Sequence, residues 1–92
     1  MSQHEVRSFQ FRKGVRVLES TVCDWVEMRR AGNELADDAG LVDLYCYNAP
    51  LRRWERMGTF HGGMRYTNLL GEQCIIRNDF SGLDFVNKDA KK

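Results

Sequence analysis

From residue 5 the chain alternates with a period of two. In EVRSFQFRK, Arg7, Phe9 and Phe11 share one side and Val6, Ser8 and Gln10 the other, the pattern of a half-buried strand. Lys13-Gly14 reads as a turn and VRVLES as a second short strand, so the chain is expected to open with a hairpin.

Between Ser20 and Gly40 two patterns compete. Trp25, Met28, Gly32, Leu35 and Ala39 fall on one helical stripe. Thr21 followed three residues later by Asp24 resembles an N-terminal cap, and Gly40 suits a left-handed helix end. Against this, Gly32 costs up to ~1 kcal/mol relative to alanine within a helix. Asp37 and Asp38 also face the wrong end of the helix dipole. The rival pattern is a strand over 22–30, with Val22, Asp24, Val26 and Met28 on one face and an acidic loop behind it. The stripe favours the helix, over about residues 21–38.

From Leu41 the pattern is β. Val42, Leu44 and Cys46 alternate with Asp43, Tyr45 and Tyr47. NAPL reads as a turn, and RRWERMGTF places Trp54 and Phe60 on one parity with Arg53, Glu55 and Met57 on the other. MRYTNLL, EQCIIRNDF and LDFV supply further runs. The expectation is one small α+β domain: a mostly antiparallel sheet of five to six strands with a single helix packed on it. The alternative is an all-β small barrel or sandwich. The polar ends, 1–4 and 88–92, are expected to be flexible tails.

Ninety-two residues hold one modest core and no second domain. The formal charge of +1 excludes bulk charge as a reason to bind nucleic acid or an acidic membrane. Its distribution is uneven. Glu34, Asp37, Asp38 and Asp43 stand in a stretch without a basic residue, whereas Arg52, Arg53, Arg56 and Arg65 share 51–66 with Glu55 alone. Such segregation can steer a charged partner. Cys23, Cys46 and Cys74 are odd in number and unpatterned, so neither a disulfide framework nor a zinc site is expected. They read as small buried hydrophobes. The polar N-terminus lacks the apolar core of a secretory signal, and no apolar run reaches membrane-spanning length. A cytoplasmic setting, no membrane and no cofactor are the resulting expectations.

Three constellations carry possible chemistry. Tyr45, Tyr47 and Trp54 lie in runs joined by a short turn and could stand on one sheet face beside Arg52, Arg53, Arg56 and Arg65, an aromatic and basic surface for a partner. Arg53, Glu55, His61, Arg65 and Tyr66 include the residue types of a small ribonuclease: a base, an acid and phosphate-holding cations. The glycines of GTFHGG lack the spacing of either phosphate-binding fingerprint, and Gly62-Gly63 reads as a hairpin turn with His61 near its tip. Glu34, Asp37, Asp38 and Asp43 lack the order of a calcium loop, but their charges could enter a basic groove on a partner. The sequence therefore points to a non-enzymatic binding protein (a regulator, inhibitor or assembly factor) that docks on a macromolecule, with a protein as the expected partner. A single-stranded nucleic-acid binder or ribonuclease using 51–66 is the alternative. Self-association through a β edge or the apolar side of the helix is a further expectation.

Overall fold

The computed structural model describes residues 5–86, so the expected tails at 1–4 and 88–92 lie outside the described residues. Strands β1 (Arg7–Lys13) and β2 (Arg16–Cys23) form the opening hairpin, followed by helix α1 (Trp25–Ala39). Five strands then complete the chain: β3 (Val42–Asn48), β4 (Arg53–Gly62), β5 (Arg65–Asn68), β6 (Gln73–Ile76) and β7 (Leu83–Phe85). They build one seven-stranded sheet in the order β2-β1-β3-β4-β5-β6-β7, every neighbouring pair antiparallel. The architecture is α+β, with one more strand than the upper expectation. Because β2 and β7 are free edges, the sheet does not close into a barrel.

The period-two pattern sets which face is buried. Phe9 and Phe11 of β1, Val42, Leu44 and Cys46 of β3, Phe60 of β4, Tyr66 of β5 and Cys74 and Ile76 of β6 form the core beneath α1. The helix adds Met28, Gly32 and Ala36 to that core, so its apolar side is not available for self-association. Ala39, expected on the same stripe, is exposed at the last turn. The helix begins later than the sequence pattern suggests. Residues 21–23 pair with β1 as far as Cys23 opposite Arg7, and the cap is Asp24, whose carboxylate accepts from the Glu27 N–H at 2.8 Å. Gly40, at φ 86°, ends the helix, and its N–H donates to the Ala36 carbonyl.

Three bulges shape the sheet, one of them at His61, between Phe60 opposite Tyr66 and Gly62 opposite Arg65; the remaining two set the hairpin and the faces of β4. One lies in the hairpin between β1 and β2, where Leu18 is the extra residue between Val17 and Glu19. The other lies between β3 and β4, where Leu44 opposes Gly58 but Tyr45 opposes Arg56. This second bulge overturns the parity expected for β4: Trp54 faces away from the helix and Phe60 faces toward it. The edges are guarded. β2 carries the bulge together with Arg16 and Glu19, and β7 is only three residues long.

The glycine-rich turn is tied to the helix. Gly63 and Met64, at φ 61° and 65°, occupy the two central positions of the β4–β5 hairpin, a geometry glycine adopts without strain. The Asp37 carboxylate accepts from Gly63 N–H at 2.6 Å, and the Asn33 side-chain oxygen accepts from Met64 N–H at 2.8 Å. Asn33 is the buried polar residue of the core, and its amide also donates to the Met64 sulfur at 3.3 Å. Asn33→Ala leaves the Met64 N–H without its acceptor in a closed environment. A loss of about 1–3 kcal/mol is expected, read as a lower urea midpoint at unchanged slope.

Candidate docking surface

The helix and the β6–β7 loop cover one face of the sheet. Over that loop, Arg29 donates to the Phe80 carbonyl at 2.9 Å, and the Arg30 guanidinium lies 4.9 Å from the Phe80 ring centre. The opposite face is covered by none of the described residues. Its residues follow from register: Ser8, Gln10 and Arg12 of β1; Asp43, Tyr45 and Tyr47 of β3; Trp54, Arg56 and Thr59 of β4; and Arg65 and Thr67 of β5. Tyr45, Tyr47 and Trp54 are half-buried, while Arg56 and Arg65 are exposed.

The aromatic group sits mid-sheet on β3 and β4. Tyr47 and Trp54 are directly opposite, with ring centres 5.2 Å apart and planes at 64°, an edge-to-face pair. The Arg12 guanidinium stacks on Tyr45, 4.0 Å from its ring centre, and donates through Nε to Gln10 at 2.9 Å. Arg56 stands opposite Tyr45, donates to Thr59 at 2.7 Å and meets the Asp43 carboxylate at 3.4 Å. Thr59 also donates to Asp43, at 2.8 Å. These contacts hold the arginine side chains close to the sheet rather than leaving them free in solvent, which lowers the entropy lost when a partner docks.

Not every expected residue joins this surface. Arg52 occupies the β3–β4 turn in a left-handed conformation, φ 55°. Arg53 binds Glu55 at 3.1 Å, on the strand parity of the helix side. Asp43, grouped by sequence with the acidic stretch, stands instead among the arginines of the open face. Glu34, Asp37 and Asp38 lie across the molecule, where they line a shallow groove with Glu19 of β2. Asp37 is further engaged by the glycine turn. Arg12, which no local pattern singles out, stacks directly on the aromatic group. Only the pairing of β1 with β3 brings it there.

The ribonuclease constellation is dispersed. Six residue steps of strand separate Glu55 from His61, about 20 Å along β4. The intervening bulge also leaves them on different environments. His61 Nε2 lies 2.7 Å from the Thr67 hydroxyl. Glu55 accepts from Asn48 and Arg53, and these bonds hold its carboxyl below the usual range. Asn48 also accepts from Leu51 N–H, so Glu55 braces the β3–β4 turn. Tyr66 is in the core. Burial pushes its hydroxyl up to about 12, with Cys74 adding to the effect. The folded chain thus keeps this proton at a pH where the unfolded chain, titrating near 10, has lost it. Stability is full below pH 10 and falls as pH rises toward 12, by about 2–3 kcal/mol. Tyr66→Phe is expected to remove most of that alkaline loss in a pH series of urea melts.

Cys46 and Cys74 are buried, Cys23 is half-buried, and burial raises all three thiols. Among the described residues no group of three or more His, Cys, Asp or Glu side chains is placed to hold a metal ion. No helix among them is long and apolar enough to cross a membrane. No protein-family model, curated protein or solved structure matches the chain.

Proposed function

We propose that this chain is a non-enzymatic binding module that docks on an acidic patch of a protein partner through the open face of its sheet. The observation that carries the proposal is the Tyr45, Tyr47 and Trp54 group, set mid-sheet on an uncovered face with Arg12 and Arg56 packed against it. Tyrosine, tryptophan and arginine dominate the energetic centres of protein interfaces, because they bring large contact area and a polar end at low entropic cost. The cations of this face favour an acidic partner. The acidic groove on the helix side orients the molecule by repelling the same partner.

Single-stranded nucleic acid fits the face less well. One side of Tyr45 is occupied by Arg12, and Tyr47 and Trp54 meet edge to face, so few ring faces stay open for stacked bases. Asp43, at the centre of the face, also opposes a phosphate backbone.

Capture from the source cell with three baits tests the proposal. Wild type and a helix-side variant, Glu34→Lys with Asp38→Lys, are expected to retain the same protein. Tyr47→Ala with Trp54→Ala is expected to reduce that retention more than tenfold, as loss of an interface centre does. Equal retention by all three baits overturns the proposal. So does tight, salt-sensitive binding of a single-stranded RNA 20-mer that the aromatic variant abolishes, which would assign the face to nucleic acid.

A further inference from the structure

A second site lies at the end of the sheet where β1 begins, β2 ends and the β3–β4 hairpin turns. A cleft of about 540 Å³ opens there. Val6, Val22, Pro50 and Met57 give it apolar walls, and Arg7 and Trp25 line it from the strand and from the first turn of the helix. Two hydrogen-bond donors in this lining, Arg7 Nε and Trp25 Nε1, are buried and have no partner among the described residues. These are the buried side-chain nitrogens or oxygens left unsatisfied there, and both belong to the same cleft.

Folded proteins pair such groups, because each was hydrogen-bonded to water before burial. Both atoms can only donate, so whatever completes them must accept. The Arg7 guanidinium already donates through Nη2 to Glu5 at 3.0 Å, and its remaining unpaired Nε–H, on a charged donor, is matched best by a second carboxylate. Glu55 lines the same cleft, but its two oxygens are engaged by Asn48 and by Arg53, so its charge is already answered. The indole itself is fixed: Trp25 packs edge-on against Phe9, ring centres 5.1 Å apart, which holds its N–H in place. The volume is that of an ordinary small-ligand pocket, in the range of roughly 300–1,000 Å³.

We infer that this cleft binds a carboxylate carried on an apolar body, with the carboxylate accepting from Arg7 Nε and Trp25 Nε1 and the body resting on Val6, Val22, Pro50 and Met57. Such a group is presented by a small organic acid or by the C-terminal residue of a peptide. The cleft shares Ser8 and Tyr47 with the open face, but its two donors, Arg7 and Trp25, lie outside that face, so the inference does not rest on docking there.

The two tryptophans separate the sites in one spectrum. Titration with phenylacetate, and separately with an N-acetylated tripeptide ending in leucine, is followed by the indole N–H resonances of Trp25 and Trp54. The expected result is a saturable downfield shift of the Trp25 resonance with at least one probe, while Trp54 stays in place. Saturation by phenylacetate alone assigns a free acid, and saturation by the peptide alone assigns a chain terminus. Trp25→Phe, which keeps the ring packing, and Arg7→Met, which keeps the stem, should each weaken binding at least fivefold, measured by calorimetry. Both variants are first checked for a native amide spectrum. The inference is overturned if neither probe shifts Trp25 at 10 mM. It is equally overturned if phenylacetamide or the amidated peptide binds as well as the acid, or if folded Trp25→Phe and Arg7→Met bind like wild type.

Discussion

Phe60→Ala is expected to remove about 3–5 kcal/mol of stability, the cost of emptying a fully buried phenylalanine site. A chain of this size has roughly 5–14 kcal/mol in total, so the variant gives up between about a fifth and all of it. The size of the effect follows from where the ring stands. Phe60 meets Tyr66 with ring centres 4.8 Å apart and Phe11 at 6.2 Å, which joins three strands. From above, α1 rests on it at Gly32, where an added methyl would lie 2.6 Å from the ring's Cδ2. The missing side chain at Gly32 is therefore filled by Phe60, and this explains a glycine inside a helix at a position where alanine would favour the helix itself. Urea melts of Phe60→Ala and Phe60→Leu, with the first far more destabilised, check this account.

Gly58→Ala is the second large effect. A methyl there would overlap the Tyr66 hydroxyl and lie 2.5 Å from the Thr67 carbonyl oxygen. The hydroxyl belongs to a core tyrosine and the carbonyl to the neighbouring strand, so neither can retreat without shifting β5. Overpacking of this kind costs about 1–3 kcal/mol, and a backbone obstacle places the expected loss at the upper end. Tyr66→Phe removes the nearest obstacle, the hydroxyl, and leaves the ring Cζ and the Thr67 carbonyl in place, so the relief is partial. The double variant Gly58→Ala with Tyr66→Phe should thus be less destabilised than the sum of the single changes, with a coupling of about 1 kcal/mol in a double-mutant cycle. Strict additivity would show that the strands do not pinch at Gly58.

Both residues show what the pattern of the chain could and could not carry. Phe9, Phe11, Val42, Leu44 and Cys46 are legible because β1 and β3 keep a strict period of two, with one face buried. The helix is legible from its stripe, but its start is not. Thr21 and Asp24 both suit a cap, and the choice is made by the pairing of residues 21–23 with β1, a contact outside any local window. Trp54 and Phe60 share a parity in sequence and lie on opposite faces in the fold, because the bulge opposite Leu44 and Tyr45 inserts a residue between them. The only local mark of that bulge is a glycine. Gly58, which sits there, reads from sequence only as a glycine within a strand.

The candidate surface divides in the same way. Tyr45, Tyr47 and Trp54 could be placed together because a short turn joins their strands. The arginines sort by longer-range geometry: Arg56 stays with the aromatics, Arg53 pairs with Glu55, and Arg12 arrives from a strand more than thirty residues away. The acidic set divides as well, with Asp43 on the open face and Glu34, Asp37 and Asp38 on the helix side. The cleft with Arg7 and Trp25 has no sequence signature. Unpaired donors become visible only when every neighbour is in place.

On the proposed function, the open face of the sheet, and not the helix side, meets the partner. Hydroxyl-radical footprinting of the captured complex against the free protein tests it residue by residue. Oxidation of Tyr45, Tyr47 and Trp54 is expected to fall severalfold on complex formation, while Leu35, which lines the groove beside α1, reacts as before. Protection of Leu35 with Tyr45, Tyr47 and Trp54 unchanged would contradict it.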